Sequence, residues 1–540
     1  MLTLSGKGVC NAVAIGKIHF FTHGSFDVKK QNVEDTQHEV LRYKSAVKTA
    51  LAELDELYES GRRRVGENEA EIFKIHAMMI EEDSDFSENT IRIINEEKVS
   101  CEYAVSESAK YFSGVFDAMN DEYMQARSAD IKDVANRLLS VLGERKTIEI
   151  TEENAILVSD DLAPSETIRL DKSKIAAFVT QNGSENSHTA ILARSMNIPA
   201  IVNVGGIDES IDGKRAVADG ESGILYVEPD EHVVQEYTSR IAGMRQRETE
   251  LKKYIGVPAI TADGTEINLY ANIASPDDIK AAKENGAEGV GLFRSEFLFL
   301  GRSAPPDEEE QFAAYRAAAE EMNGKPVIVR TLDIGADKRV EYLGLPKEEN
   351  PAMGLRAIRI CLENKTLFRT QLRALYRASA FGEIAIMFPM ITSTDEIYEI
   401  KEIAESVKSG LVRDGCPIRG NTKLGIMIET PAAAVISDIL AREVDFFSIG
   451  TNDLVSYTLA ADRQNTHLER YVKNNHPAVL RLIEHTVKSA HKQGIWVGIC
   501  GEAAADLSLT ETFVKMGVDE LSVTPSAVLR LREKICSIGK

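Results

Sequence analysis

From about residue 260 onward, eight apolar, β-branched runs alternate with segments of helical composition, and this alternation restricts the fold more than any other feature of the chain. The runs are "INLYANI", "GVGLFRSE", "PVIVRTLDIG", "IAIMFPMI", "LGIMIETP", "FFSIGTND", "IWVGICGE" and "ELSVTP". Segments such as "PDDIKAAKENGA" and "TDEIYEIKEIAESVKSGLV" separate them. Strands joined by crossover helices run parallel. Eight such units over roughly 280 residues predict a (β/α)8 TIM barrel at 260–540. An open doubly wound sheet is the alternative, weakened because no G-x-G-x-x-G fingerprint opens the first βα turn.

The rest of the chain has three other textures. Residues 1–30 are Gly-rich and β-branched, as strands are. From 31 to 143 the sequence turns rich in Glu, Lys, Arg, Ala and Leu, lacks proline and carries 3.6-type periodicity, as in "HEVLRYKSAVKTALAELDELYES" and "DVANRLLSVLGE". That predicts a bundle of antiparallel helices with solvated charged faces. Strand-like runs return in "TIEITEENAILVSDDL", "KIAAFVTQNG", "IPAIVNV" and "SGILYVEP". With residues 1–30 they predict a discontinuous α/β domain, 1–30 and 144–228, into which the bundle is inserted. The charged, proline-free segment "DEHVVQEYTSRIAGMRQRETELKKYIG" makes 229–259 read as a linker helix.

Composition narrows the function. The 540 residues suit about three or four domains at roughly 150 residues each. Net charge is -22, from 63 basic and 85 acidic side chains, which argues against nucleic acid and anionic membranes and favours a basic protein partner. The start "MLTLSGKGVCNAVAIGKIHFF" lacks a charged segment followed by a continuous apolar core, and no apolar run reaches the ~18 residues that span a bilayer. The six cysteines show no C-x-x-C spacing, so neither a zinc site nor a disulfide framework is expected, and the cytoplasm is the expected compartment.

Barrel active sites assemble where strands end. The second run ends in Arg294 and Glu296, the third in Arg330 and Asp333, the fifth in Glu429, the sixth in Asn452 and Asp453, and the seventh in Cys500 and Glu502. Any one of these could be a structural ion pair, but polar residues ending five of eight apolar strands would converge on one mouth. Arg294 and Arg330, with Arg356 and Arg463 in adjoining loops, offer planar forks for carboxylate and phosphate oxygens. Glu429 and Asp453 are hard oxygen ligands suited to Mg2+. Asn452 can donate to a phosphoryl oxygen. Cys500 is a candidate proton donor, although buried cysteines are usually inert packing. A ligand with both phosphate and carboxylate, such as phosphoenolpyruvate, fits this inventory.

A second candidate lies in "QNGSENSHTAILARSMNIPAIV". His188 stands between two hydroxyl residues where a loop gives way to a helical pattern, with Asn186 or Ser187 as N-cap. Unpaired N–H groups there suit a phosphate and keep the imidazole neutral. Taken alone, the stretch equally fits a histidine that merely lines a helix start.

These segments together resemble Enzyme I of the bacterial sugar phosphotransferase system, along nearly the whole chain. The resemblance is carried by "DDLAPSET", the His188 segment, "GAEGVGLFRSEFLF", "VIVRTLDIGADK", "NPAMGLRAIR", "GIMIETPAA", "DFFSIGTNDL" and "GICGEAA". "DEYMQARSADIKDVANR" matches the family's helical insertion, which docks the histidine-containing phosphocarrier protein. The resemblance implies that His188 is the phosphorylated residue and that Thr167 holds its ring. It implies that Arg294, Arg330, Asn452 and Arg463 grip phosphoenolpyruvate, that Glu429 and Asp453 bind Mg2+, and that Cys500 protonates enolpyruvate. A homodimer through the barrel is implied as well. The family's Gly-Gly-x-Thr-Ser-His is "GSENSH" here, with Ser184 and Asn186 as departures that bear on loop geometry rather than on the nucleophile.

Two other readings remain at this stage. One is an enzyme like pyruvate-phosphate dikinase or phosphoenolpyruvate synthase, against which the lack of a P-loop and the helical insertion argue. The other is a nonenzymatic protein that only senses phosphoenolpyruvate, against which the acidic pair and four arginines argue.

Overall fold

The computed structural model describes residues 1–10, 12–21, 28–64, 67–81, 83–117, 122–143, 153–160, 174–183, 190, 193, 198–300, 302, 304–335, 340–346, 348–463 and 465–539. The chain divides into two compact units, Met1–Gln246 and Arg247–Lys540.

The first unit holds a sheet of eight strands: β1 (Leu2–Ser5), β2 (Lys7–Gly8), β3 (Val13–Phe21), β4 (Ala155–Ser159), β5 (Ile175–Thr180), β6 (Ala200–Val202), β7 (Arg215–Asp219) and β8 (Ile224–Val227). Their order is β1-β8-β7-β3-β4-β5-β6-β2. The stretch β3-β4-β5-β6 is parallel and the flanking pairs are antiparallel. β3 and β4 pair from Lys17↔Ala155 to Phe21↔Ser159, so the chain leaves this sheet after β3 and returns to its neighbouring position more than a hundred residues later. β7 was not anticipated from sequence: "RAVAD" is short and flanked by charge, and only its pairing on both edges buries it.

Between β3 and β4 run five helices, α1 (Thr36–Arg64), α2 (Glu67–Ile80), α3 (Asp85–Glu97), α4 (Cys101–Asp117) and α5 (Glu122–Gly143). On α1, Tyr43, Val47, Ala50, Leu54 and Leu57 follow alternating steps of four and three and form one buried stripe. It packs with Phe73, Ile80, Ile94, Val105, Val134 and Leu138 from the other helices in a core of its own. Ser84 caps α3 by accepting the Ser87 N–H, and Lys98 ends it in the left-handed conformation. Much of the charge in 127–137 is spent inside the bundle. Arg127 pairs with Asp130 at 3.0 Å, Arg137 with Glu53 at 2.8 Å, and buried His76 lies 3.4 Å from Asp130.

A helix at Glu231–Lys252 occupies most of the expected linker, and the boundary between the units falls within it. The second unit is a closed barrel of eight parallel strands: β9 (Asn268–Ile273), β10 (Val290–Arg294), β11 (Val327–Arg330), β12 (Ile384–Phe388), β13 (Lys423–Ile428), β14 (Phe446–Ile449), β15 (Trp496–Ile499) and β16 (Glu520–Val523). β16 pairs with β9 from Glu520↔Asn268 to Val523↔Ala271, which closes the ring. Each strand falls on one of the eight apolar runs, with β13 starting one residue ahead of its run, at Lys423. Outward residues such as Val329, Ile386, Ile426 and Phe447 are buried against the helices, each contributing about 1.5–3 kcal/mol by leaving water. Capping boxes at Asp307 and Ser393 fix the starts of two of those helices.

Candidate active site

Parallel strands deliver their C-terminal ends to one rim, so residues scattered along 290–502 meet there. Arg294 and Arg330 end β10 and β11, while Glu429 and Cys500 follow β13 and β15 directly. Asn452 and Asp453 open the helix Thr451–Leu459 after β14. These residues, with Glu296, Asp333, Arg356, Tyr457, Arg463 and Glu502, line a cavity of about 820 Å3. All the barrel residues anticipated from sequence are therefore brought together. His188 and Thr167 lie outside the described residues.

The cavity wall is a lattice of buried charges. Asp333 bridges two guanidiniums, Arg330 at 2.9 Å and Arg356 at 2.9 Å. Arg330 also donates to Glu296 at 2.5 Å, and Arg356 reaches Asp453 at 3.3 Å and the Tyr457 hydroxyl at 3.1 Å. Gly335, with φ near 115°, lets the chain pass so close to Arg356 that a side chain there would collide with the Arg356 Cβ. Both arginines retain a buried Nε without a partner among the described residues. Arg294 makes no hydrogen bond or ion pair among them, and burial together with the like charge of Arg330 lowers its pKa. Three converging guanidiniums with unspent donors favour an anionic ligand.

The acidic side is complementary. Glu429 is fully buried and accepts the Met390 N–H at 2.6 Å. Its pKa is raised first by burial, then by the charges of Asp453 and Asp333, against the opposing pull of Arg330 and Arg356. Two carboxyls that repel each other beside an anion pocket suit a divalent cation, which would favour both as carboxylates. Among the described residues, a tighter cluster of possible ligands is Glu39, Cys101 and Glu102 in the helical bundle. Arg42 already neutralises that cluster, at 2.9 Å from Glu39 and 2.6 Å from Glu102, so it is an ion-pair site.

Asn452 and Glu502 clasp each other, with the Asn452 amide donating at 3.0 Å and accepting the Glu502 N–H at 2.8 Å. Arg463 stands at the exposed edge, 3.7 Å from Glu502. Cys500 lies beneath, 2% exposed, and burial pushes its thiol up to about 11, tempered by Ser448 and Arg330. Tyr457 was missed from sequence, although it stands four residues after Asp453 on one helix and so shares its face.

Models of three domains of phosphoenolpyruvate-utilising enzymes match the chain: the N-terminal domain at 5–127, the mobile domain at 151–223 and the phosphoenolpyruvate-binding domain at 248–539. The class defined by barrel, pocket and order of domains is thus that of phosphoenolpyruvate-utilising enzymes. Within it, a phosphoenolpyruvate-protein phosphotransferase of Bacillus sp. (strain S) is 41% identical over 541 residues, covering 100% of this chain and 93% of its own length. The protein of the same name from Bacillus subtilis (strain 168) is 40% identical over 543 residues, covering 100% of this chain and 95% of its own. Among solved structures, a solution structure of Enzyme I covers 45% of this chain and 99% of its own at 30% identity and a TM-score of 0.39. The chain belongs to the phosphoenolpyruvate-protein phosphotransferase family.

Proposed function

We propose that the chain transfers the phosphoryl group of phosphoenolpyruvate to its own His188 and then to a histidine of a small phosphocarrier protein. Pyruvate is released, and the transfer is the first step of sugar uptake. The observation that carries this reading is the barrel-mouth cavity in which Arg294, Arg330 and Arg356 face the Glu429–Asp453 pair.

Phosphoryl transfer depends mostly on positioning and on stabilising charge. Arg294, Arg330 and Arg463 hold the phosphate and carboxylate, Asn452 donates to a phosphoryl oxygen, and Arg356 keeps Asp453 and Asp333 in place. Glu429 and Asp453 hold Mg2+, which when bound neutralises charge on the phosphoryl oxygens. The P–O bond of phosphoenolpyruvate breaks as the imidazole nitrogen of His188 bonds to phosphorus, with Thr167 orienting the ring. The enolate left behind takes a proton at C3 from the Cys500 thiol. A thiol raised to about 11 keeps that proton at neutral pH until a carbanion is there to receive it.

His188 must leave the barrel to meet the acceptor, and the 229–259 segment is the proposed hinge. The bundle at 31–143 is the proposed docking surface for the phosphocarrier, and the barrel the proposed seat of a homodimer. No helix among the described residues is long and apolar enough to cross a membrane. A cytoplasmic location is the proposal consistent with the rest.

The test is incubation with labelled phosphoenolpyruvate and Mg2+, followed by mapping of the acid-labile phosphate. The label is expected on His188 and absent from His188→Ala. Stoichiometric acid-labile label on the variant would reject the assignment.

A further inference from the structure

Side chains along a barrel strand alternate between the helix layer and the interior. On β9, Leu269, Ala271 and Ile273 sit in the core beneath the helices, so Tyr270 and Asn272 face inward. On β16, Leu521 and Val523 sit in that core, so Glu520 and Ser522 face inward. The Asn272 amide is fully engaged there. Its Nδ2 donates to the Cys500 carbonyl at 3.0 Å and to the Ser522 carbonyl at 3.2 Å. Its Oδ1 accepts the Ser522 hydroxyl at 2.7 Å. Gly291 on β10 leaves room for that hydroxyl, since a Cβ at Gly291 would lie 2.5 Å from the Ser522 Oγ.

The contact falls where the sheet stops supporting the chain. The last pair between β15 and β16 is Ile499↔Leu521, one residue short of Cys500. On its other side Cys500 still donates its N–H to the Ile449 carbonyl of β14, at 3.2 Å. The Cys500 carbonyl lies past the end of the β15–β16 ladder. The amide that binds it comes from β9, the strand beyond β16 in the ring. The residues that follow are fixed separately: a side chain at Gly501 would collide with Thr451, and the Glu502 N–H is held by Asn452 at 2.8 Å. Cys500 lines the substrate cavity and Asn272 does not, so any effect of Asn272 on the reaction passes through Cys500.

We propose that Asn272 is a positioning residue for the proton transfer that completes pyruvate. By holding the Cys500 carbonyl it fixes the peptide that carries the thiol, and with it the face of the enolate at which the S–H stands. This rests on the reading of Cys500 as the acid. C3 of the enolate is trigonal and offers two faces. The thiol proton passes to one of them: the enolate electron pair forms the new C–H bond, the C2–O bond becomes the ketone, and the S–H bond breaks to leave a thiolate. Asn272 gives and takes no proton. Its part is geometric, and a displacement of about 1 Å at such a donor is worth about 100-fold in rate.

The experiment uses the full chain with Mg2+ and the phosphocarrier as acceptor, and compares wild type with Asn272→Asp and Ser522→Ala. Asp keeps the shape of Asn272 but has no N–H, and sets a carboxylate oxygen against two carbonyls. Ser522→Ala keeps both N–H groups and removes the hydroxyl that fixes the turn of the amide. The substrate is (Z)-3-fluorophosphoenolpyruvate in deuterium oxide. The fluoropyruvate is trapped at once by lactate dehydrogenase and NADH, and its configuration at C3 is read by fluorine NMR. Wild type gives one configuration. Asn272→Asp gives both, because enolate that misses the thiol leaves the site and is deuterated in solution on either face. Ser522→Ala gives a mixture enriched in the wild-type configuration. With phosphoenolpyruvate itself, KM in Asn272→Asp stays within about twofold while kcat for pyruvate formed on the enzyme falls about 10- to 100-fold. A single configuration from Asn272→Asp would overturn the proposal even if its melting temperature fell, since a merely structural amide changes stability and not the face of attack. Should Asn272→Asp fail to fold, Ser522→Ala decides by the same product: a mixture upholds the proposal and a single configuration overturns it. Failure of the underlying reading is visible separately, as one configuration and normal pyruvate formation from Cys500→Ser.

Discussion

Asp333→Asn removes one charge while keeping the shape of the side chain, and the geometry sets the size of its effect. Asp333 is 5% exposed and holds Arg330 and Arg356 at 2.9 Å each. Breaking a buried ion pair from one side typically costs about 3–5 kcal/mol, because the charge left behind has lost its compensation. Two such pairs are broken here, but neither arginine is stranded: Arg330 keeps Glu296 and Arg356 keeps Asp453. Loss of Asp333 also relieves one of the charges that oppose ionisation of Glu429. The net cost is therefore placed at the low end, about 3 kcal/mol. At roughly 2–4 °C per kcal/mol for a large domain, that lowers the barrel's Tm by about 6–12 °C. Trp496 is the chain's single tryptophan and is stacked on Phe446 inside the barrel, so its fluorescence reports this unit alone. Thermal melts followed at that residue, together with titration of phosphoenolpyruvate binding, provide the assay. A loss below about 1 kcal/mol with unchanged binding would refute the idea that Asp333 organises the anion site.

The cation pair makes a different prediction: Glu429→Gln and Asp453→Asn should each abolish Mg2+-dependent autophosphorylation, because an amide is a poor ligand for a hard cation. Unchanged rate and Mg2+ dependence in both would place the metal elsewhere. Glu520 gives stability a pH dependence. Its folded pKa of about 8 exceeds an unfolded value of ~4.3, so its contribution is complete below the unfolded pKa and is lost as pH rises through the folded one. Melts of Glu520→Gln followed at Trp496 should therefore lack that limb and exceed wild type at pH 8 and above; a limb that survives would mean that Glu520 is not the titrating group. Glu429 shifts in the same direction, but added Mg2+ should remove its part alone. Finally, residues 1–246 made as a fragment should exchange phosphate with the phosphorylated carrier yet ignore phosphoenolpyruvate, since all the groups assigned to that substrate lie beyond residue 290. Direct labelling of the fragment by phosphoenolpyruvate would contradict the two-site mechanism.

Much of this molecule was legible in one dimension, for a physical reason. Strand runs and helical stretches are local patterns, and eight parallel strands closing into a ring leave one rim for their C-terminal ends, so Arg294, Arg330, Glu429, Asp453 and Cys500 could be gathered from their positions in the runs alone. The discontinuous sheet could be anticipated too, because runs before and after the helices shared one composition. β7 was lost, since a short run between charged residues acquires its strand character only from the neighbours that bury it. Pairing was beyond the sequence as well. That Asp333 would divide itself between Arg330 and Arg356, or that the charges of 127–137 would turn inward upon His76 and Glu53, depends on distances between residues far apart in the chain. Glu520 marks the limit most clearly. In sequence it is one acid among 85 acidic side chains, following another acid in "DEL". Only the register of β14, β15 and β16 brings it level with Gly498 and Ser448, and only the closed barrel removes the water that would otherwise have left it an ordinary carboxylate.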